Sequence, residues 1–286
     1  MTIEFIHVDV FSATPYSGNS LAVIPDARGL SAEQMLRITQ ELRHFEAIFL
    51  EKTEHPQTVR ARVFDMFEEL PFAGHPIIGA AATLYDSTKA ARQTWQVILP
   101  SKTVSVTTER TDRGFYALLD QGMPEFLGSV GDRDVIAKAF NLELSDLRAD
   151  LPMEVVSTGL RYLVVPVQGD ALERARIVSD ITELLSDVGA QFAVLLDEAA
   201  LEVRHWNNDG IVEDVATGSA AGVIGAYRLK HGLARSGELF TLHQGRFTGR
   251  PSVLRVKPEG SSSAVTTVQV GGDVAFVGRG TLEVLP

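Results

Sequence analysis

The sequence predicts an α+β protein built from two similar halves. Residues 69–82, ELPFAGHPIIGAAA, place a proline-glycine turn before a helix that is apolar on nearly every side. Residues 214–226, DVATGSAAGVIGA, repeat this arrangement, and Gly218 lies 144 positions after Gly74 in a chain of 286 residues. A helix that is apolar all round is normally buried, and runs rich in Val, Ile and Phe around each helix predict strands that cover it.

In the first half, strands are predicted at residues 3–11 and 21–24, with turn chemistry at residues 15–19 between them. Ser31 begins a capping box, which predicts an amphipathic helix that runs to about Leu42. The other predicted strands of this half are residues 45–50, 59–66, 95–99, 104–108 and 115–119.

The second half is predicted to begin near residues 122–124 and to follow the same plan loosely. Helices are predicted at residues 132–140 and 181–188, and the second apolar helix at residues 218–229. The predicted strands are residues 154–157, 162–167, 192–196, 203–206, 211–212, 239–243, 252–256, 267–270, 274–277 and 281–285.

The composition is that of an acidic globular protein. Hydrophobic residues make up 45% of the chain and charged residues 22%, which is ordinary for a soluble protein. The net charge of −11 opposes binding to nucleic acid or to an anionic membrane, so neither is expected as a partner. The chain has no cysteine, no basic and apolar leader and no run of about 18 apolar residues. These features predict a cytoplasmic protein.

The predicted strand at residues 45–50, FEAIFL, contains one carboxylate among apolar residues. The two-residue period of a strand puts Glu46 on one face with Ile48 and Leu50, and the opposite face is equally apolar. Burial favours the neutral carboxyl and raises its pKa toward the range that suits proton transfer. Glu46 is therefore a candidate acid/base, although taken alone it also fits a strand-end carboxylate with a local partner.

Polar side chains mark both helix starts. His75 precedes Pro76, and proline is favoured at the first position of a helix, whose positive end lowers a histidine pKa and keeps the ring neutral. Alone, His75 fits a structural or capping group, while Asp214 and Ser219 fit an N-cap pair. Two helix starts suited to an anion, together with an isolated carboxylate in an apolar strand, favour a functional site.

Spacing rejects several other kinds of site. In residues 218–222, GSAAG, the serine stands one place too early for the nucleophile elbow G-x-S-x-G. The glycines of the second helix do not form the dinucleotide pattern G-x-G-x-x-G, and no P-loop occurs. The seven histidines show no metal-ligand spacing. The sequence predicts neither a metal nor a cofactor.

Gly18-Asn19, residues 69–76, residues 213–222 and residues 244–252 (QGRFTGRPS) together resemble the PhzF-like phenazine biosynthesis proteins. The resemblance implies the diaminopimelate epimerase-like fold, an α+β fold with two similar lobes. Each lobe is a curved, mostly antiparallel sheet or barrel around a central helix, and the active site lies in the cleft between the lobes.

The resemblance also implies how the chain is divided and what it meets. The first lobe is residues 1–121, with a final strand at about residues 279–286 returning to it, and the second lobe is residues 122–278. A homodimer and a small-molecule carboxylate substrate are the implied partners.

Residue by residue, the resemblance assigns catalysis and binding to positions of this chain. Glu46 matches the catalytic glutamate of the family, and His75 and Asp214 match its polar partners. The implied substrate-binding residues are Gly74, Gly218, Ser219 and Asn19. The related epimerases carry cysteines near Ala73 and Thr217, so their two-cysteine mechanism is excluded here. PhzF-like enzymes commonly have a small polar residue before the glutamate, where this chain has Phe45.

The sequence thus predicts a metal- and cofactor-independent isomerase that moves a proton within a small carboxylate-bearing metabolite. Glu46 would remove and return the proton, His75 and Asp214 would orient the substrate or relay protons, and the helix starts would hold the carboxylate. Two alternatives share the same fold. One is a binding or regulatory protein for small carboxylates without catalysis, and the other is a lyase that uses the same base.

Overall fold

The chain folds into two units. The first contains the residues up to Asp120 together with Gly271–Pro286, and the second contains Gln121–Val270. The computed structural model describes residues 2–286. The chain therefore leaves the first unit once, after Asp120, and returns to it after Val270.

The first unit is a sheet with two helices inserted along the chain. Its elements are β1 (Ile3–Val10), β2 (Asn19–Ile24), α1 (Ala32–Leu42), β3 (Glu46–Lys52), β4 (Thr58–Asp65), β5 (Glu69–Leu70), α2 (Gly74–Asp86), β6 (Arg92–Ile98), β7 (Thr103–Thr111) and β8 (Gly114–Asp120). The strand order is β1-β2-β3-β4-β6-β7-β8, and the short β5 pairs with β4. Among the described strands of this unit, β2/β3 and β4/β6 are the parallel pairs, and each is joined through a helix, the usual crossover between parallel neighbours.

The second unit contains the remaining elements. They are β9 (Glu125–Val130), α3 (Arg133–Ala139), a 3-10 turn (Leu144–Asp146), β10 (Met153–Ser157), β11 (Arg161–Val167), α4 (Ala171–Arg174), α5 (Thr182–Asp187), β12 (Phe192–Asp197), β13 (Glu202–Arg204), α6 (Gly218–Lys230), β14 (Phe240–Gln244), β15 (Ser252–Ser261) and β16 (Ala264–Leu282). The strand order is β9-β10-β11-β12-β13-β14-β15-β16, and the last part of β16 continues into the first unit, where it pairs with β1.

The two units share one topology. In the first, β1/β2 is antiparallel, β2/β3 parallel, β3/β4 antiparallel, β4/β6 parallel and β6/β7 antiparallel. In the second, β10/β11, β11/β12, β12/β13, β13/β14 and β14/β15 repeat that alternation in the same order. The helices α2 and α6 occupy equivalent places, each between the second pair of parallel strands. The prediction of two similar halves is confirmed.

A buried helix lies at the centre of each unit. Helix α2 packs against β1, β2, β3, β6, β7 and β8, and α6 packs against β10, β11 and β15. Glycine lets the strands approach: a Cβ atom on Gly79 would lie 2.5 Å from Leu21 Cδ2, and one on Gly225 would lie 2.6 Å from Val256 Cγ1. The small residues that make both helices apolar on every side are thus contact points for the surrounding sheet. The predicted α+β fold is confirmed.

Helix α1 covers the outer face of the first sheet. Its capping box is present, because Ser31 Oγ accepts the N–H of Gln34 and Gln34 Oε1 accepts the N–H of Ser31. Met35 and Ile38 are buried in a core that includes Phe49 of β3. The other face of β3 is buried as well, so the prediction that both faces of this strand are apolar and covered is confirmed.

Two parts of the strand prediction differ from the structure, and β5 and β9 were not predicted. Residues 211–212 do not form a strand, because this segment turns between Trp206 and Glu213, which make an isolated bridge. The three strands predicted within residues 267–285 are one strand, β16. Gly271 and Gly280 lie within this strand at points where a neighbouring segment comes close, and a Cβ on Gly280 would lie 2.4 Å from the ring of Phe5.

The helices are short. The two central ones have 13 residues each. Nowhere between residues 2 and 286 is a helix long and apolar enough to cross a membrane.

Candidate active site

Glu46 and His75 come together in the first unit. Glu46 is the first residue of β3 and His75 is the second residue of α2. His75 Nδ1 lies 3.5 Å from Glu46 Oε2, and the two residues are only 5% and 8% exposed. The register places Glu46 between Leu21 of β2 and Asp65 of β4, so the carboxylate starts an interior strand of the sheet.

Local backbone geometry explains why β3 starts at this point. Arg43 is the C-cap of α1 and adopts the left-handed conformation with φ of 58°. This residue ends the helix and redirects the chain, so that the strand begins three residues later, at Glu46. Residues 43–46 therefore carry the carboxylate from a helix end directly to a strand start.

The start of α2 is held by the turn between β6 and β7. Its N-cap residue is Ala73, so no N-cap side chain can accept the backbone N–H groups of the first turn, and the positive end of the helix is left to other acceptors. Ser101 Oγ donates to the carbonyl oxygen of Pro71, and Lys102 Nζ lies 4.1 Å from the ring centre of Phe72. Burial lowers the pKa of Lys102. His75 occupies the second helical position, which disfavours its interpretation as the capping group.

Asn19 begins β2 and is 2% exposed. The residue before it, Gly18, has φ of +74°, and a Cβ there would lie 2.4 Å from the carbonyl oxygen of Val10. Glycine is needed for this close turn, which fixes where Asn19 enters the sheet. Because β2 and β3 are parallel and Leu21 pairs with Glu46, Asn19 and Glu46 lie toward the same ends of adjacent strands.

In the second unit, a buried network holds Asp214 beside the start of α6. Thr217 Oγ1 donates to Asp214 Oδ2 at 2.5 Å, and the N–H of Ala216 donates to Oδ1 at 3.4 Å. Gln244 Oε1 accepts the N–H of Thr217, while its Nε2 donates to the carbonyl oxygen of Asp214 and to Thr217 Oγ1. Thr217 is the N-cap residue, but its hydroxyl serves Asp214. The N-cap interpretation of Asp214 and Ser219 is therefore disfavoured.

Ser219 bonds to a tyrosine. Its Oγ lies 2.8 Å from the hydroxyl oxygen of Tyr162 in β11, and both residues are buried. The ring of Tyr162 meets the ring of His205 edge to face with centroids 5.4 Å apart. His205 Nδ1 is 2.9 Å from the carbonyl oxygen of Ala193. Burial lowers the pKa of His205, and the nearby charge of Asp214 opposes this shift in part.

Gly218 is fixed from the side by Gln121. Gln121 Nε2 donates to the carbonyl oxygen of Gly218 at 2.8 Å, and its Oε1 accepts from Thr158 Oγ1 at 2.7 Å. A Cβ on Gly222 would lie 1.9 Å from Gln121 Oε1, so glycine at that position is what admits the amide. The first turn of α6 is thus anchored by Gln121, which follows β8, and by Tyr162 of β11, rather than by its N-cap residue.

The predicted site residues fall into two groups. Glu46, His75, Gly74 and Asn19 belong to the first unit, and Asp214, Gly218 and Ser219 belong to the second. Sequence reasoning missed the roles of Gln244, Tyr162 and His205 in holding the second group. Gln244 offered a signal, since it opens the segment QGRFTGRPS, whereas Tyr162 read only as a core aromatic residue in a strand.

The shared topology shows that the two groups differ chemically. The first residue of β12, Phe192, occupies the place that Glu46 has in β3, and it pairs with Tyr162 as Glu46 pairs with Leu21. A hydrophobic ring therefore stands in the second unit where the first unit has a carboxylate. Any proton transfer at this topological position belongs to the first unit alone.

Within residues 2–286, no three His, Asp or Glu side chains are grouped so that they could hold a metal ion.

Comparison with known proteins identifies a family for this chain. The family described as phenazine biosynthesis-like protein, PhzC-PhzF, matches residues 8–280. A trans-2,3-dihydro-3-hydroxyanthranilate isomerase of Pseudomonas fluorescens is 31% identical over 291 residues, which cover 98% of this chain and 99% of that protein.

Two solved structures are similar over the full length. A structure described as a predicted epimerase from Pseudomonas aeruginosa is 46% identical, with a TM-score of 0.92 and 99% of both chains covered. A PhzF-family protein of Bacillus anthracis is 24% identical with a TM-score of 0.85, covering 99% of this chain and 100% of that one, and it shares the fold.

Proposed function

The chain belongs to the family of phenazine biosynthesis-like proteins, and we propose that it is an isomerase that moves a proton within a small carboxylate-bearing metabolite. One observation carries the proposal. Glu46 Oε2 lies 3.5 Å from His75 Nδ1, and the two groups are buried at the start of a strand and the start of a helix. A titratable pair removed from water is the arrangement that general acid/base catalysis uses.

In the proposed reaction, the Glu46 carboxylate takes a proton from one substrate carbon. The electron pair of that C–H bond moves into the adjacent unsaturated system, and the protonated Glu46 returns the proton at a different atom. Substrate and product have the same composition, so these steps require no oxidant or reductant. His75, beside Glu46, would share or relay the proton and orient the substrate.

We propose that the remaining residues bind the substrate. The start of α2 at Gly74 and the start of α6 at Gly218 present backbone N–H groups and partial positive charge, which suit a carboxylate. Asn19 and Ser219 would add hydrogen bonds, and Asp214, held by Thr217 and Gln244, would accept from a donor on the substrate.

The relatives suggest a first substrate to test. The Pseudomonas fluorescens relative is named for trans-2,3-dihydro-3-hydroxyanthranilate, a small cyclic carboxylate with an unsaturated ring. We propose a substrate of this class for the present chain.

The deciding experiment measures turnover and the exchange of substrate hydrogen with solvent deuterium. The wild-type protein is incubated with trans-2,3-dihydro-3-hydroxyanthranilate in deuterated water, and the product is analysed by NMR and mass spectrometry. Glu46→Gln keeps the shape of the side chain but removes the base, so turnover should fall by about 100-fold or more. Glu51→Gln changes a half-buried carboxylate later in the same strand and should behave as the wild type. Full activity of Glu46→Gln would refute the assignment of the base.

The same experiment separates the alternatives. Binding of carboxylates without turnover or deuterium exchange would favour a binding or regulatory protein. A product of lower mass than the substrate would identify a lyase.

We also propose that the protein works in the cytoplasm as a homodimer. The lack of cysteine supports the cytoplasmic location, and the family resemblance supports the homodimer. Light scattering after size exclusion should give twice the chain mass of 31.1 kDa.

A further inference from the structure

We propose that Tyr162 is a positioning residue that makes the Ser219 hydroxyl a hydrogen-bond donor toward the substrate carboxylate. This inference rests on the proposed function, in which Ser219 binds that carboxylate. Tyr162, a residue of strand β11, would then contribute to the affinity for the substrate.

The contact is short and shielded from water. Tyr162 Oη lies 2.8 Å from Ser219 Oγ, a normal distance for a bond between hydroxyl groups. Tyr162 is 2% exposed and Ser219 is 6% exposed. Ser219 is the second residue of α6, directly after Gly218, so its hydroxyl stands at the positive end of the helix.

By geometry either hydroxyl could be the donor in this bond, and the relative acidity of the two groups selects between the two directions. A phenol with a pKa near 10 is a far stronger acid than an aliphatic alcohol, so the favoured arrangement has Tyr162 donating and Ser219 accepting. A serine hydroxyl has one proton, and in this arrangement that proton points away from the tyrosine. Accepting a bond also polarises the hydroxyl and strengthens the bond that it donates. A carboxylate, which only accepts, is the matching ligand.

Packing keeps the tyrosine ring in place. It packs against Phe192, with ring centroids 5.5 Å apart, and against His205, with centroids 5.4 Å apart. Phe192 and His205 also touch each other edge to face, at 5.7 Å. Because three rings are packed together, Tyr162 cannot turn away from Ser219 without opening this cluster.

His205 connects this cluster to the other polar residue of the second unit. The carbonyl oxygen of His205 accepts the N–H of Asp214 at 2.9 Å, while its ring packs on Tyr162. One residue therefore fixes the backbone at Asp214 and the ring that orients Ser219. His205 therefore helps to position both polar groups that are proposed to bind the substrate, Asp214 and Ser219.

The test measures affinity separately from turnover. Tyr162→Phe keeps the ring and removes the hydroxyl, and Ser219→Ala removes its partner. The dissociation constant of 3-hydroxyanthranilate, an aromatic analogue of the substrate to be tested, is measured by calorimetry, and KM and kcat are measured with trans-2,3-dihydro-3-hydroxyanthranilate. Tyr162→Phe should raise Kd and KM by about 5-fold to 20-fold and leave kcat within about 2-fold.

A double-mutant cycle distinguishes positioning from general destabilisation. If Tyr162 acts through Ser219, the double variant should bind no more weakly than Ser219→Ala alone. Tyr227→Phe is the matched control, because Tyr227 is a buried tyrosine of α6 whose hydroxyl donates to the carbonyl oxygen of Pro152 at 2.8 Å. That variant should lose stability without a change in Kd.

A second variant covers the case in which Tyr162→Phe does not fold. Site-specific Tyr162→3-fluorotyrosine keeps the hydroxyl but makes it more acidic, so it should lower Kd. Unchanged affinity in Tyr162→Phe or Tyr162→3-fluorotyrosine, or additive effects in the cycle, would overturn the role of Tyr162 while leaving the proposed isomerase intact. If the wild type binds neither compound, the proposed substrate class fails and this inference fails with it.

Discussion

Arg204 donates two parallel hydrogen bonds to the Glu213 carboxylate, from Nε at 2.8 Å and from Nη2 at 2.6 Å. Arg204 Nη1 also donates to the carbonyl oxygens of Leu172 and Ala175, and the guanidinium group lies 4.3 Å from the ring of Trp206. Arg204 is 8% exposed, so nearly all of this contact is shielded from water. The pair joins the two ends of the segment of residues 204–213, and Asp214 is the next residue in the chain.

Arg204→Met should therefore destabilise the second unit and weaken substrate binding. The substitution retains much of the apolar stem but leaves the Glu213 carboxylate without its charged partner in a buried place. Breaking a buried pair in this way costs about 3–5 kcal/mol of unfolding free energy. Urea denaturation measures the loss of stability, and KM measures the displacement of Asp214.

Arg28→Met provides the comparison for this prediction. Arg28 pairs with Asp26 at 2.5 Å, but their side chains are 69% and 42% exposed. Water screens an exposed pair and it contributes little to stability, so this variant should remain close to the wild type. Equal losses in the two variants would mean that burial of Arg204 does not matter.

The fold was accessible to sequence reasoning because its signals are local and occur twice. The glycines at the two apolar helices predicted where both central helices start, and the end of the second was predicted to within one residue. The capping box at Ser31 predicted the start of α1. Short strands without a strong pattern, such as β9 and β5, were missed because pairing with a neighbour, rather than their own composition, makes them strands.

The candidate site was accessible only in part. Glu46 and His75 could be named because a carboxylate in an apolar strand and a histidine at a helix start are visible along the chain. Their separation of 3.5 Å could not be derived, since it depends on how β3 and α2 pack. Gln244 and Tyr162 lie 27 and 57 positions from the residues that they hold, and no local pattern records such contacts.

Gly222→Ala should destabilise the protein and disturb the start of α6. An added Cβ would lie 1.9 Å from Gln121 Oε1, so the amide must move and its bonds to Gly218 and Thr158 must weaken. Overpacking costs about 1–3 kcal/mol of unfolding free energy, and the weakened hydrogen bonds add to this loss. The higher helix propensity of alanine offsets about 1 kcal/mol of it. The net loss should be about 1–3 kcal/mol by thermal or urea unfolding. Gly131→Ala, where the methyl group would meet open space, should change stability little.

Thr217→Val should reduce activity although the side chain keeps its shape. The hydroxyl donates to Asp214 Oδ2 and accepts from Gln244 Nε2, so its removal breaks two bonds in a buried network. The expected cost is about 1–3 kcal/mol in stability, with a higher KM because Asp214 is less well held. Thr217→Ser retains the hydroxyl and should restore most of both properties. A value of kcat/KM for Thr217→Val equal to that of the wild type would show that the network does not support the site.

Burial of His205 should make stability depend on pH in the mildly acidic range. Its pKa in the folded protein is lowered from the ordinary value of 6.5 because the ring is shielded from water. The unfolded chain therefore binds more protons than the native protein below about pH 6.5. Stability contributed by the neutral ring is present above that pH and is lost as the pH falls, by up to about 1.4 kcal/mol per pH unit.

His205→Asn tests this dependence directly. The asparagine amide can donate to the carbonyl oxygen of Ala193 as Nδ1 of the imidazole can, but it does not titrate. Unfolding free energies measured in urea at pH 7.5, 6.5 and 5.5 should fall less steeply for this variant than for the wild type, even though loss of the ring lowers its stability at every pH. His55→Asn, which replaces an exposed histidine, should keep the wild-type slope. If His205→Asn and the wild type lose stability in parallel below pH 6.5, the imidazole of His205 is not the group that titrates on unfolding.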